Sequence, residues 1–146
     1  MKRTVQKIIT FFVVVLGICC INKIDAKAFT TGDITYINGQ RYLYSNGQKV
    51  INDFVFDGVY TYYAQADGTP MTNRLTYHPD GVHIIYFDKN GHEVFNAFQY
   101  CSSVGYNCYF DSQGYLYKDQ ITYIDGNPYY LNANGASVSY THLRAH

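Results

Sequence analysis

Five glycines recur at a nearly constant interval, and they constrain the fold of this chain more than any other feature. They are Gly47, Gly68, Gly91, Gly114 and Gly135, spaced 21, 23, 23 and 21 residues apart. A tyrosine lies five residues before each glycine, at positions 42, 63, 86, 109 and 130. A period of this length is typical of small units that stack into an array. It favours a binding scaffold over an enzyme.

Other columns of the repeat keep the same register. The residue before each glycine is Asn, Asp or Gln, and the third and seventh residues after it are apolar. The fifth residue after the glycine is Asn52, Asn73, Asn96 or Asp119, and the ninth is Phe56, Tyr77, Tyr100 or Tyr123. Because a strand alternates its side chains between two faces, the seventh and ninth positions are predicted to share a face.

Each unit is predicted to form a strand, a tight turn at the glycine and a second strand. The segment IYFDKNG (85–91) leads aromatic residues into Asn-Gly, which suits a hairpin turn because both residues tolerate positive φ. The polar fifth position interrupts the alternation and predicts a bend or bulge whose side chain hydrogen-bonds nearby backbone. Second turns at 57–58, 79–81, 102–105 and 125–126 would connect the units.

The predicted fold class is all-β, because no segment after residue 28 keeps a helical period free of glycine or strand-forming residues. One hairpin alone is marginally stable in water. Stacked hairpins would bury the aromatic columns between neighbours, so the array is the stable object. The sequence therefore predicts a β-hairpin solenoid of about five stacked repeats, each 21–23 residues long, over residues 29–137.

The first 28 residues have the pattern of an export signal. A basic start with Lys2, Arg3 and Lys7 precedes a largely apolar stretch of 14 residues (8–21) and a small-x-small site, AKA, at 26–28. The apolar stretch is shorter than a bilayer span requires, so no stable membrane span is expected. A retained anchor is the alternative. Cleavage would release a secreted or cell-surface protein that starts near Phe29.

The last nine residues, VSYTHLRAH (138–146), leave the repeat register. They match one translated frame of a transposase-based sequencing adapter. We expect this segment to be non-biological, and we expect the repeat module to be incomplete at its C-terminal end.

Residues 29–137 carry ten acidic and five basic side chains, a net charge of −5 that the basic signal conceals in the whole-chain value of zero. This acidic balance excludes nucleic acid as an expected partner. Sixteen of the 17 tyrosines lie in the same segment, and the chain has no Trp. Tyrosine combines apolar area with a hydroxyl group, so it suits both packing between hairpins and sugar binding.

Two cysteines remain after removal of the signal. Cys101 and Cys108 flank the connector SSVGYN, and they lie across the strands from each other if Tyr100 and Tyr109 do. Export makes oxidation plausible, and a disulfide across this short loop would stabilise the fold by about 2.5 kcal/mol. We predict a structural disulfide because no companion ligand cluster is visible.

Candidate chemical sites are weak. His78, Asp80 and His83 lie in HPDGVH, but their spacing matches no metal motif, and surface turn residues are the favoured interpretation. The segments DKNG (88–91) and DSQG (111–114) lack the remaining ligands of a calcium loop. No paired carboxylates or nucleophile with a base interrupts the period. We therefore predict no catalytic residue, no metal and no cofactor in these residues.

The aromatic columns carry the functional prediction. Most of these rings are expected to form the core between hairpins, and some are expected to form shallow pockets where units meet. Such pockets hold a sugar face by stacking, or a quaternary ammonium group by cation–π contact. The candidate ligand contacts are Tyr63, Tyr86, Tyr109 and Tyr130, with Phe54 and Phe98 behind the turns.

The segments IYFDKNG (85–91), CYFDSQG (108–114) and NPYYLNANG (127–135) resemble the cell-wall-binding repeats of Gram-positive surface proteins. That group includes choline-binding repeats, glucan-binding repeats and the repeat regions of large clostridial toxins. The resemblance covers residues 33–136. Choline-binding units carry a Gly-Trp after the turn, whereas here the seventh position holds Phe54, Leu75, Phe98 or Ile121.

The resemblance implies a solenoid that tethers a protein to the envelope by binding a wall polymer such as teichoic acid, peptidoglycan or glucan. Because the Trp is missing, a wall glycan fits as well as choline. Two alternatives stay open. The module could be the targeting region of a peptidoglycan hydrolase, or it could be a structural spacer or adhesin.

Overall fold

A computed structural model describes residues 30–139, so the predicted signal peptide (1–28) and residues 140–146 lie outside it. The described chain is all-β and contains no helix, as the sequence predicts. Among its residues no helix is long and apolar enough to cross a membrane. The strands are β1 (Thr30–Thr31), β2 (Asp33–Ile37), β3 (Gln40–Ser45), β4 (Gln48–Lys49), β5 (Asp53–Phe56), β6 (Thr61–Ala64), β7 (Arg74–Tyr77), β8 (Ile84–Phe87), β9 (Ala97–Cys101), β10 (Tyr106–Phe110), β11 (Gln120–Ile124), β12 (Asn127–Leu131) and β13 (Ser137–Ser139).

The strands pair into antiparallel hairpins, which we number in chain order. The first hairpin is β2–β3, the second β5–β6, the third β7–β8, the fourth β9–β10 and the fifth β11–β12. Strand β1 adds in parallel to β5, β4 adds to β3, and β13 adds to β12. Strand β13 includes Val138 and Ser139, the first two residues of the segment that leaves the repeat register.

The location of the hairpin turns differs from the sequence prediction. The segments predicted to connect units, such as 57–58 and 125–126, are the tips of the second to fifth hairpins. The turns at Gly47 and Gly135 do join paired antiparallel strands, β3–β4 and β12–β13, as predicted. The turns at the three middle glycines instead follow a hairpin. After Gly68, Gly91 and Gly114 the returning chain makes only one antiparallel bridge, for example Phe87 with Glu93. A strand ladder does not continue because the chain bends soon afterwards.

Side chains hold these glycine turns. Gly91 N donates to Asp88 O at 3.0 Å, and Asp88 Oδ1 accepts from Asn90 N and His92 N at 2.8 and 2.9 Å. A short polar side chain that bonds to backbone two residues on is typical of such turns. The same arrangement recurs at Asp111 and Asn132.

The bend predicted at the fifth position is confirmed. Asn52, Asn73, Asn96 and Asp119 have φ values of 51°, 46°, 48° and 53°. Asn and Asp are the non-glycine residues that most readily adopt this left-handed conformation. The hydrogen bond that recurs at these positions is donated by the backbone amide, whereas the sequence predicted one from the side chain. In the third unit, Asn73 N donates to Asp88 O at 2.9 Å, which ties the bend to the next glycine turn.

Consecutive hairpins contact one another through backbone and rings. Glu93 N donates to Thr61 O and Leu116 N donates to Ile84 O, both at 2.8 Å, so each glycine turn is bonded to the preceding hairpin. The aromatic rings of Tyr86 and Phe110 lie 6.1 Å apart across the third and fourth hairpins. The largest fully buried side chains lie between hairpins in this way, including Tyr86, Phe87 and Phe110.

Two features require glycine at position 114, its positive φ and its close contact with the preceding unit, so a substitution there tests the packing between units. The φ of Gly114 is +79°, and a Cβ would lie 2.9 Å from Glu93 Oε1 and 3.0 Å from Phe95 Cε1 of the preceding unit. Gly126, at the tip of the fifth hairpin, has φ +78° and no atom within 4 Å of a Cβ. We expect Gly114→Ala to lower the free energy of unfolding by about 2–5 kcal/mol, and Gly126→Ala by about 1–2 kcal/mol. Urea denaturation measures both, and equal losses would contradict the contact between units.

Candidate functional site

The six aromatic residues predicted as ligand contacts differ in exposure. Phe54 and Tyr86 are buried, at 7% and 2% exposed, and Phe98 is 36% exposed. Tyr63, Tyr109 and Tyr130 are half-buried. These differences arise because a ring on one hairpin is covered to a different degree by the hairpin that follows.

The structure brings these candidates together as pairs. Phe54 and Tyr63 are opposite each other in the second hairpin, with their ring centroids 5.1 Å apart. Phe98 and Tyr109 make the same edge-on contact at 5.1 Å in the fourth hairpin. In the second and fourth hairpins the seventh-position residue and the tyrosine of the repeat thus form an aromatic pair, which suits either core packing or a ligand platform. In the third and fifth hairpins the residue opposite the tyrosine is Leu75 or Ile121.

A cavity lies where the second hairpin meets the third. Its volume is about 240 Å³, and we call it the junction cavity; it is lined by Tyr63, Met71, Thr76, Tyr77, Pro79, Ile85 and Phe87. Phe87 is fully buried and lies 6.3 Å from the Tyr63 ring and 6.4 Å from the Phe54 ring. Aromatic and apolar side chains surround the cavity without any charged group, so it suits an apolar face or a soft cation.

The sequence prediction of ligand contacts missed three of the exposed rings. Tyr77, Tyr100 and Tyr123 are 66%, 54% and 74% exposed, and Tyr77 lines the junction cavity. All three occupy the ninth position of the repeat, which the sequence showed to be aromatic but which was not proposed as a ligand contact. The sequence did contain a signal for these rings. The ninth residue lies on the same strand face as the seventh, two residues closer to the hairpin tip, so it could have been proposed as a ligand contact as well.

His78, Asp80 and His83 form a cluster of side chains in the turn of the third hairpin, and the His83 ring also packs against a neighbouring aromatic ring. His78 Nδ1 and His83 Nδ1 lie 3.0 and 2.6 Å from Asp80 Oδ2. The hydrogen bond from the His83 side chain, together with the backbone amides of His83 and Val82, holds the pKa of the Asp80 carboxyl well below its usual value. The His83 ring stacks on Tyr115 at 3.8 Å. In the described part of the chain no three His, Cys, Asp or Glu residues are placed to hold a metal ion.

Cys101 and Cys108 are buried free thiols in the structure. Tyr100 and Tyr109 are not paired with each other, so the condition set on the cysteines does not hold, and Cys101 is paired with Tyr106 and Cys108 with Gln99. The two cysteines are diagonal neighbours whose thiols still hydrogen-bond, and this bond together with burial raises the pKa of Cys101. The disulfide stays a prediction.

The chain matches no family model, and no curated protein matches it. Solved structures do share its fold. The modular autolysin LytC from Streptococcus pneumoniae matches 72% of this chain with a TM-score of 0.58 and 20% identity. Truncated alternansucrase from Leuconostoc mesenteroides matches 73% with a TM-score of 0.62 and 26% identity. The modular Cpl-1 endolysin, a pneumococcal cell-wall endolysin from phage Cp-1, matches 81% with a TM-score of 0.56 and 22% identity.

The matched region is a small part of each of these proteins. The chain covers 23% of the autolysin, 10% of alternansucrase and 34% of the endolysin. The autolysin structure has been determined with a synthetic peptidoglycan ligand, the endolysin with choline, and alternansucrase with isomaltotriose. The likeness establishes a common all-β fold within much larger proteins.

Proposed function

We propose that this chain is an exported, non-catalytic repeat module that binds a cell-wall polymer or another carbohydrate and tethers a protein to a Gram-positive envelope. The observation that carries the proposal is the junction cavity. Three rings, those of Tyr63, Tyr77 and Phe87, converge there with the thioether of Met71. A concave site lined by aromatic rings, formed only where two units meet, is what a repeat module needs in order to bind.

The array explains how shallow sites become useful. We propose that the five hairpins form a solenoid of 21–23-residue units, because glycine turns bond each unit to the preceding one. Equivalent tyrosines on successive hairpins would then present several weak sites to one polymer. Several weak contacts on a single polymer raise avidity by orders of magnitude without any new contact.

The ligand class follows from the cavity and from proteins of the same fold. An uncharged aromatic cavity of about 240 Å³ accepts the apolar face of a sugar or a quaternary ammonium group. Proteins of this fold have been studied with peptidoglycan analogues, choline and isomaltotriose. Teichoic acid, peptidoglycan and glucan are therefore the candidate polymers.

A second candidate is the targeting region of a peptidoglycan hydrolase. The observation that favours it is the likeness to an autolysin and an endolysin of which this chain covers only 23% and 34%. In that case wall binding by these residues would still hold, and a catalytic domain elsewhere in the protein would supply the activity.

The test is retention on purified Gram-positive walls after Tyr77→Ala. This ring is 66% exposed and lines the junction cavity, so its removal should weaken binding about tenfold with less than about 0.5 kcal/mol change in stability. Tyr36→Ala is the matched control, because Tyr36 is 69% exposed and does not line the junction cavity. Equal retention of both variants and the unchanged protein would contradict a binding role for the cavity.

A further inference from the structure

We propose that Asn38 and Asn46 are sites of spontaneous covalent modification, at which the folded protein converts an asparagine into aspartate or isoaspartate. Four Asn-Gly pairs lie in the described part of the chain, at 38–39, 46–47, 90–91 and 134–135. All four asparagines are exposed. The first two pairs differ from the last two in how the glycine is held, and this difference selects the reactive sites.

The reaction uses only the Asn-Gly pair and water. The glycine backbone nitrogen attacks the side-chain carbon Cγ of the asparagine, and the bond from Cγ to the side-chain nitrogen breaks. Ammonia leaves with the proton that the glycine nitrogen gives up. The resulting cyclic imide adds one water molecule, and opening at either carbonyl gives aspartate or isoaspartate. Glycine favours the attack because it has no Cβ to hinder the approach, but its nitrogen must be free to turn toward the side chain.

At 38–39 and 46–47 the glycine nitrogen is free. Each pair is a two-residue hairpin turn with positive φ at both residues, 52° and 77° in the first and 49° and 75° in the second. Among residues 30–139, no hydrogen bond involves the backbone nitrogen of Gly39 or Gly47. A Cβ at either glycine would meet no atom within 4 Å, so these turns can open without disturbing the packing. Local opening of such exposed turns costs little free energy.

At 90–91 the turn is held by hydrogen bonds and by packing. Gly91 N donates to Asp88 O at 3.0 Å, and Asn90 N donates to Asp88 Oδ1 at 2.8 Å. Arg41 Nη1 of the first hairpin donates to Asn90 O at 2.7 Å. Gly91 is buried, and a Cβ there would lie 3.2 Å from Met71 O.

The pair at 134–135 repeats this arrangement with different residues. Gly135 N donates to Asn132 O at 2.8 Å, and Asn134 N donates to Asn132 Oδ1 at 2.9 Å. Tyr106 Oη of the fourth hairpin donates to Asn134 O at 3.0 Å, and Gly135 is buried against Leu116. Attack at 90–91 or 134–135 therefore requires these bonds to break and a glycine to leave the packing between units, so we expect it to be slow.

Modification changes the charge and the turns of the first hairpin and of β3–β4. Either product adds one negative charge per site to a segment, 29–137, whose net charge is already −5. Isoaspartate also carries the backbone through Cβ, which adds one methylene to a two-residue turn and disturbs the pairing of the flanking strands. Asn46 lines a cleft of about 600 Å³ together with Asp33 and Asp57, so its modification makes an acidic cleft more acidic.

The test is incubation of the full-length protein in mildly alkaline buffer made with heavy-oxygen water, followed by peptide mass spectrometry of each site. The label enters only during incubation, so it separates these products from any formed during digestion. We expect Asn38 and Asn46 to be modified at least about tenfold faster than Asn90 and Asn134 in the folded protein. In urea the four rates should agree within about twofold, because the folded turns are then lost and the dipeptide is the same.

Two variants test the cause of the protection at Asn90. Asp88→Ala removes the side-chain acceptor of the glycine turn and should raise the Asn90 rate about fivefold. Asp88→Asn keeps an oxygen at that position, as Asn132 does in the fifth unit, and should leave the rate low. Thermal melts confirm that both variants are folded.

Three results would overturn the inference. The first is equal rates at the four sites in the folded protein. The second is the same order of rates in urea, because the local sequence and not the fold would then select the sites. The third is an unchanged Asn90 rate in folded Asp88→Ala, because the hydrogen bonds of the glycine turn would then give no protection.

Discussion

Replacement of Tyr86 by alanine is expected to lower the free energy of unfolding by about 3–5 kcal/mol. The side chain is 2% exposed and belongs to a buried cluster with Cys101, Cys108 and Phe110. Burial also raises the pKa of the Tyr86 phenol, as expected for a hydroxyl group withdrawn from water. Its loss would leave a cavity between the third and fourth hairpins, which the surrounding rings can fill only in part.

Urea denaturation gives the change for Tyr86→Ala, with Tyr123→Ala as the control. Tyr123 is 74% exposed, so its loss should change stability by no more than about 0.5 kcal/mol. A small stability loss for Tyr86→Ala accompanied by lost wall binding would identify this ring as a ligand contact and not a core residue.

Phe87→Ala is expected to have an effect of similar size, about 3–5 kcal/mol, at the preceding junction. Phe87 is fully buried and contacts both Phe54 and Tyr63 of the second hairpin. It also forms part of the junction cavity, so wall binding should fall in conditions where the variant is still folded. Phe87→Ala should therefore lose both stability and wall binding, whereas Tyr77→Ala should lose wall binding with little change in stability.

The control for Phe87→Ala is Phe98→Ala in the fourth hairpin. Phe98 is 36% exposed and contacts Tyr109 and Tyr129, so it should lose less than half as much stability. Comparable losses at both positions would contradict the larger contribution expected from the fully buried Phe87 ring.

The all-β class and the repeat register could be predicted because they depend on local chemistry. Each glycine turn needs a positive φ, and the polar fifth position needs a residue that tolerates the left-handed conformation, as Asn73 does. The assignment of the hairpin tip to the glycine turn was wrong for the three middle units, for a related reason. Asn-Gly suits a tight hairpin, but the side chain of Asp88 holds that segment as a turn, and the bend at Asn96 ends the ladder after one bridge.

The site could be predicted only in part, because exposure is decided by packing between hairpins. The tyrosine and seventh-position columns do pair within hairpins, as Phe54 and Tyr63 show. A single repeat gives no indication that the following hairpin covers Tyr86 and leaves Tyr100 half-exposed.

Wall binding is tested by co-sedimentation of the purified protein with Gram-positive cell walls, with and without free choline. We expect the protein to pellet with the walls. Release by choline would identify quaternary ammonium groups as the ligand of the junction cavity, and retention in the presence of choline would identify a wall glycan. A folded protein that stays in the supernatant under both conditions would contradict wall binding and favour a structural spacer.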